Sequence, residues 1–189
     1  MNVVKTSIEG VVIIEPRIFE DERGYFYESF SQREFEEKVC NTVFVQDNQS
    51  KSTYGVVRGL HFQRPPYAQS KLVRCVSGKV LDVVVDIRKH SPTFGKFVAV
   101  ELSGENHRQL FIPRGFAHGY AVLSDEAVFQ YKCDNFYNKE SEGAIAWNDP
   151  EINIDWLLPA DKVLLSTKDS INKKLSESVT PFDYNEELY

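Results

Sequence analysis

With 189 residues, 42% hydrophobic and 26% charged, the chain can bury a full core and reads as one domain over 1–189 with no linker. Its net charge of −6 argues against a nucleic-acid partner, which is held through clustered Lys and Arg, so any anionic ligand has to be met by local cations. No stretch approaches the roughly 18 apolar residues of a membrane span and no basic leader is visible, while the odd, widely spaced Cys40, Cys75 and Cys133 suit buried thiols of a reducing cytoplasm.

In chain order, GVVIIEPRIF from Gly10 is β-branched and apolar until Pro16, which predicts a strand ending at an edge or crossing to another subunit. DERGYFYESF gives a turn over Asp21 to Gly24 and then an aromatic strand from Tyr25 to Phe30. Ser31 with Glu34 forms a capping box ahead of the i, i+4 apolar pair Phe35 and Val39, which predicts about two helical turns. FVQDNQSKS, from Phe44, alternates Gln46 and Asn48 into the next strand, where the plain alternative is a solvated face.

That next strand, GVVRGLHFQ from Gly55 to Gln63, sets an arginine and a histidine three residues apart among apolar neighbours. Regular alternation would aim Arg58 and His61 to opposite faces. Glycine inside a strand often marks a bulge, and a bulge at Gly59 would bring the two side chains to one face. Beyond the loop at Pro65-Pro66, KLVRCVSGKVLDVVVDIR reads as two strands around Ser77-Gly78. The second of them places Val83, Val85 and Ile87 on one face and Asp82, Val84 and Asp86 on the other, so its aspartates meet either solvent or a polar cavity.

Phe97 to Leu102, Gln109 to Ile112 and Ala127 to Cys133 are further strands, with SGEN, PRGFAHG and LSDE as the turns between them. Short strands at this spacing, without an internal repeat, predict an all-β barrel or sandwich. In the tail, WNDPEINIDWLLP is dense in turn residues, and Asp169 is placed as the N-cap of a helix with Ile171 and Leu175 on one face.

The polar groups set into strands point to proton transfer. Removing a proton beside a carbonyl needs a base, a cation or donor must hold the enolate oxygen, and an acid must return the proton. Histidine ordinarily titrates near neutrality, so His61 can serve as a base, with Lys71 and Tyr131 filling the other two parts. Taken singly, each has an ordinary alternative: a strand lysine in solvent, a tyrosine filling the core, a histidine such as His118 in a turn or core. A metal is not expected, because residue 63 is Gln63, so there is no HxH pair, and no carboxylate closely follows His61.

DERGYF, VQDNQS, GVVRGLHFQ, KLVR, VLDVVVDIRKHSPTFG, QLFIPRGFAHG, YKCDNFY, WNDP and LSTKD, in that order, resemble the dTDP-4-dehydrorhamnose 3,5-epimerases from about Gly10 to Asp169. The resemblance implies a cupin-like jelly roll with short peripheral helices, no metal or other cofactor, and a homodimer whose amino-terminal strands cross the interface. It implies that His61 accepts the proton, that Asp169 orients it, that Lys71 stabilises the enolate and that Tyr131 donates from the opposite face. It assigns Arg23, Glu28, Gln46, Asn48, Arg58, His118, Glu142 and Lys168 to a dTDP-4-keto-6-deoxy sugar substrate. Tyr137 would stack on thymine, with Phe19 as a lesser aromatic. The chain departs from the family at Phe136 and Asn138, where tyrosine and proline are commoner.

Overall fold

In the computed structural model, which describes Met1–Tyr189, β1 (Asn2–Lys5) and β2 (Val12–Glu15) are followed by a small hairpin, β3 (Phe19–Asp21) with β4 (Gly24–Phe26), and by helix α1 (Gln32–Lys38). The remaining strands are β5 (Gln46–Thr53), β6 (Val57–Gln63), β7 (Lys71–Ser77), β8 (Lys79–Asp86), β9 (Phe97–Ser103), β10 (Gln109–Ile112), β11 (Phe116–Val122), β12 (Glu126–Cys133) and β13 (Glu142–Ala144). One sheet runs β1-β2-β10-β7-β12-β5 and the other β13-β6-β11-β8-β9. The expected all-β jelly roll is present as two open sheets packed face to face.

Alternation explains the packing. Val73 and Cys75 of β7, Leu110 and Ile112 of β10 and Phe129 of β12 meet Val80 and Val84 of β8 and Tyr120 of β11 in the interior between the sheets. The opposite face of the second sheet, with Val57, Leu60, Leu81, Val83 and Val85, is covered by Ile152, Trp156, Leu175 and Phe182 from the irregular tail. Sheet strands buried on both faces read as near-continuous apolar runs, which is why β8 is VLDVVV. Asp82, at an even position of that run, is thereby turned into the interior.

Helix α1 is too short to be stable alone. It holds by docking Phe35 against Ile14, Leu72 and Phe111, a burial worth about 1.5–3 kcal/mol. Ser31 caps it as expected, its hydroxyl accepting from the Glu34 N–H at 3.4 Å, although the Glu34 carboxylate turns to Lys38 at 2.5 Å.

Several expectations are corrected. The aromatic strand stops at Phe26, because it pairs only with β3, and Pro16 ends β2 without marking an edge, since β2 lies between β1 and β10. The turn in PRGFAHG closes by Gly115, and Phe116 already belongs to β11. The Ser77-Gly78 turn joins no hairpin; it carries the chain from one sheet to the other. Cys40 is half-buried, while Cys75 and Cys133 are buried as read. No helix starts at Asp169: two short 3-10 turns, Asp169–Ile171 and Leu175–Glu177, are separated by Asn172, whose ψ of 147° is extended. Ile171 is 75% exposed and Leu175 is buried, so they share no face.

Candidate active site

The site begins with the irregularity in β6. His118 pairs with His61 and Tyr120 with Arg58, so two residues on β6 stand opposite the single Gly119 on β11. This is the bulge anticipated at Gly59, and it turns Arg58 and His61 to the same side, into a shared cavity of about 420 Å³. Gly59 has φ +130°, and a Cβ there would lie 2.5 Å from the Cα of Gly119, so the two backbones approach as only glycine allows.

His61 faces Asp169 across the cavity floor, with Nε2 2.5 Å from Oδ1. Burial alone would raise the Asp169 carboxyl. The His61 hydrogen bond and charge, with Ser166 and Lys168, outweigh it and hold the carboxyl below its ordinary value. An ionised carboxylate only accepts, so the hydrogen rides on Nε2 and leaves Nδ1 as the basic nitrogen.

The facing wall belongs to the other sheet. Lys71 of β7 and Tyr131 of β12 line the same cavity as His61, and the ammonium lies 5.9 Å from the tyrosine ring centroid. Burial pushes Lys71 below its ordinary pKa, with Cys133 and then Asp82 working against that fall. Burial also pushes the Tyr131 hydroxyl up to about 12, so it stays protonated and can donate. His118 is buried on β11 and bonds through Nε2 to Asp82 Oδ2 at 2.9 Å. Its plain core reading therefore holds for burial, although its ring also lines the cavity.

A narrower lobe of about 160 Å³ shares His61, Lys71 and Tyr131 and adds Gln46, Asn48, Tyr137 and Glu142. Gln46 and Asn48 sit on one face of β5, bonded to each other at 3.1 Å, which answers the choice between a solvated and a lining face. Gln46 Oε1 accepts from the Tyr137 N–H at 3.1 Å and so places the exposed Tyr137 ring at the rim. Asn138 caps the turn beyond it, accepting from the Glu140 and Ser141 N–H groups. Lys168 pairs with Glu142 at the mouth. Arg58 donates from Nε to Ser52 Oγ at 3.2 Å.

Three of the sequence-predicted residues lie elsewhere. Phe19 and Glu28 border a separate groove against α1, and the Arg23 guanidinium, 86% exposed, is held by Asp21 at 2.5 Å. Within one chain these three do not meet His61, because the β3–β4 hairpin joins neither sheet. The structure also adds residues that the sequence reading passed over: Tyr120, bonded to Ser50 at 2.9 Å, and Ser166, whose hydroxyl accepts from the Asp169 N–H at 3.0 Å. Asp82 had a signal in the alternation of β8, but nothing in the sequence gave it His118 as a partner.

A jelly roll that sets a histidine–carboxylate dyad against a lysine and a tyrosine defines an enzyme of the proton-transfer class, an isomerase or epimerase working beside a carbonyl. The family model described as dTDP-4-dehydrorhamnose 3,5-epimerase matches residues 5–177, and the chain belongs to that family. The dTDP-4-dehydrorhamnose 3,5-epimerase of Shigella flexneri is 62% identical over 94% of this chain and 98% of its own length. The Legionella pneumophila epimerase solved with dTDP-4-keto-L-rhamnose superposes with a TM-score of 0.94 at 49% identity, covering 98% of this chain and 99% of that one. A 3'-monoepimerase from Streptomyces bikiniensis, solved with dTDP-quinovose, shares the fold at a TM-score of 0.85 and 33% identity, over 92% of this chain and 87% of that one.

Proposed function

We propose that His61, Asp169, Lys71 and Tyr131 carry the reaction of this epimerase, the inversion of dTDP-4-dehydro-6-deoxy-D-glucose at its third and fifth ring carbons to give dTDP-4-dehydro-L-rhamnose for dTDP-L-rhamnose biosynthesis. The observation that supports these roles is the placement of His61 and Tyr131 on opposite walls of one cavity. His61 Nδ1 takes the proton from carbon beside the ketone, and the C–H electron pair moves into the ring as the carbonyl pair moves onto oxygen. The Lys71 ammonium, which lines the same cavity, meets that oxyanion and stabilises its developing charge. The Tyr131 hydroxyl then gives its proton to the other face of the same carbon, which inverts it. Asp169 holds the imidazole and balances the imidazolium. One ketone acidifies both neighbouring carbons, so one site serves both inversions.

Arg58, Gln46, Asn48, His118, Glu142 and Lys168 bind the nucleotide sugar, with Tyr137 stacking on the base at the rim. Phe19, Arg23 and Glu28 serve the site of a second copy in a homodimer joined by exchange of amino-terminal strands. The support for this is a hairpin that leaves Phe19, Tyr25 and Phe26 exposed, at 50%, 58% and 71%, and Arg23 outside its own cavity. The reading assigns no cofactor. No helix is long and apolar enough to cross a membrane. Three free thiols support a cytoplasmic setting.

Proton NMR of the enzyme in heavy water with dTDP-4-dehydro-6-deoxy-D-glucose tests the reaction. Deuterium uptake at both carbons supports the double inversion; uptake at only one overturns it in favour of a single-carbon epimerase.

A further inference from the structure

Tyr137 stands at the rim of the narrow lobe on a stretch that belongs to no strand or helix, and with 56% of it exposed, little packing fixes its ring. No backbone carbonyl accepts from the N–H of Phe136, Tyr137 or Asn138. Three side-chain amides accept instead: Asn135 Oδ1 from Phe136 at 2.9 Å, Gln46 Oε1 from Tyr137 at 3.1 Å and Gln63 Oε1 from Asn138 at 2.7 Å. Gln63 does more than the other two. Its Nε2 donates to Phe136 O at 3.1 Å and to Tyr67 O at 2.7 Å. One buried side chain on β6, two residues from His61, therefore grips the backbone on both sides of Tyr137 and ties it to the loop that leads to β7. A primary amide has two donor hydrogens, and here both end on backbone carbonyls, so none is left for a ligand. Gln63 entered the sequence reading only as the residue that breaks an HxH pair, and the proton transfers give it no part.

We propose that Gln63 is a positioning residue for recognition of the nucleotide base, setting the Tyr137 ring at the rim by gripping the backbone on both sides of it. An apolar side chain would fill the same buried space but leave Phe136 O, Tyr67 O and the Asn138 N–H without these partners. The stretch would then sample other placements, and affinity for a ligand that needs one placement falls with the fraction of time that placement is held. The proton-transfer groups His61, Lys71 and Tyr131 are set by β6, β7 and β12 and not by this stretch. The loss therefore falls on binding rather than on turnover.

This inference rests on the stacking role given to Tyr137, and Tyr137→Ala separates the two. The test is calorimetric titration with dTDP, beside kcat and KM for dTDP-4-dehydro-6-deoxy-D-glucose, in Gln63→Met, in Tyr137→Ala and in the double variant. Gln63→Met is expected to weaken dTDP binding about tenfold and to raise KM by a similar factor, with kcat within about twofold of wild type. In the Tyr137→Ala background the same substitution should cost almost nothing more, because its effect passes through that ring. Wild-type dTDP affinity in Gln63→Met, with affinity lost in Tyr137→Ala, overturns the inference alone. Wild-type affinity in Tyr137→Ala overturns the stacking role and the inference with it. Losses that add in the double variant, or a fall in kcat as large as the rise in KM, make Gln63 merely structural and also overturn it. Should Gln63→Met fail to fold, Gln63→Glu keeps an acceptor for the Asn138 N–H while its carboxylate removes both donors, and it gives the same readings. Failure of both to fold assigns Gln63 to stability alone and overturns the proposal.

Discussion

Asp169 Oδ1 stands 2.5 Å from His61 Nε2 although 108 residues of chain separate them, and the contact joins a sheet strand to an irregular tail. The tail is held there by a backbone hydrogen bond, Leu164 O accepting from the Val57 N–H at 3.0 Å, and by apolar burial of Leu175 on the second sheet. His61→Asn is expected to fold and to lose about 10²–10⁴-fold in turnover, the usual worth of a general base. Asp169→Asn keeps an acceptor but not the charge, so its loss should be smaller than that of His61→Asn. Steady-state kinetics with melting curves for both variants check this; an Asp169→Asn enzyme as fast as wild type would remove the dyad.

The same carboxylate gives a pH dependence of stability. Its folded pKa lies below the ordinary value, so its contribution is present above the unfolded pKa of about 3.8 and is lost as pH falls through the lower folded one. Melting temperature should therefore fall below about pH 4 more steeply in wild type than in Asp169→Asn, in which that group no longer titrates. Parallel curves for the two proteins would contradict the assignment.

Tyr131→Phe keeps the ring and deletes the hydroxyl. With His61 intact, deuterium exchange at the carbon beside the ketone should continue while the inverted product fails to accumulate, because nothing returns the proton from the far wall. Product analysis by NMR decides, and a wild-type yield would return Tyr131 to a packing role.

Much of this was legible because alternation and glycine carry geometry. The strand limits around Lys71, Gln109 and Tyr131, the Ser31 cap and the bulge at Gly59 all follow from residues within a few positions of one another. What was not legible depends on long-range contact. The local pattern alone reads Asp169 as a helix cap, because aspartate before a spaced apolar pair fits that motif; its pairing with His61 was given only by the family resemblance, and the closure of the tail on β6 is what makes the contact. Phe116 to Gly119 read as a turn because Gly115 and Gly119 punctuate it; the second glycine instead allows the close crossing with Gly59.

Gly59→Ala tests that crossing. A Cβ at φ +130° and 2.5 Å from the Gly119 Cα can be relieved only by moving β6 from β11, which shifts both Arg58 and His61. Denaturant unfolding should show a loss of about 1–3 kcal/mol or more, with turnover reduced. Gly95→Ala is the control: φ is +73° there, but the nearest atom, Leu175 Cδ2, lies at an ordinary 3.6 Å, so the backbone strain comes without the clash and turnover stays closer to wild type. Equal effects of the two substitutions would mean that strain alone matters.

Arg58 carries the last prediction, because the overall charge and the local charge oppose each other. A net charge of −6 repels a diphosphate at long range, so binding has to come from short charge-assisted contacts. The Arg58 guanidinium lies at the cavity with only the Ser52 hydroxyl on its Nε, and no carboxylate in the chain claims its two terminal nitrogens. Those nitrogens form a planar fork suited to two phosphate oxygens at once, which a lysine ammonium cannot reproduce although it keeps the charge. A hydrogen bond to an ionised group is worth about 1.5–3 kcal/mol, so Arg58→Lys should weaken dTDP binding by roughly one to two decades. Isothermal titration reads this directly, and because the substitution keeps the charge, the weakening should persist across ionic strength. If Arg58→Lys binds dTDP as wild type does, the diphosphate lies elsewhere in the cavity, and the bulge at Gly59 serves His61 alone.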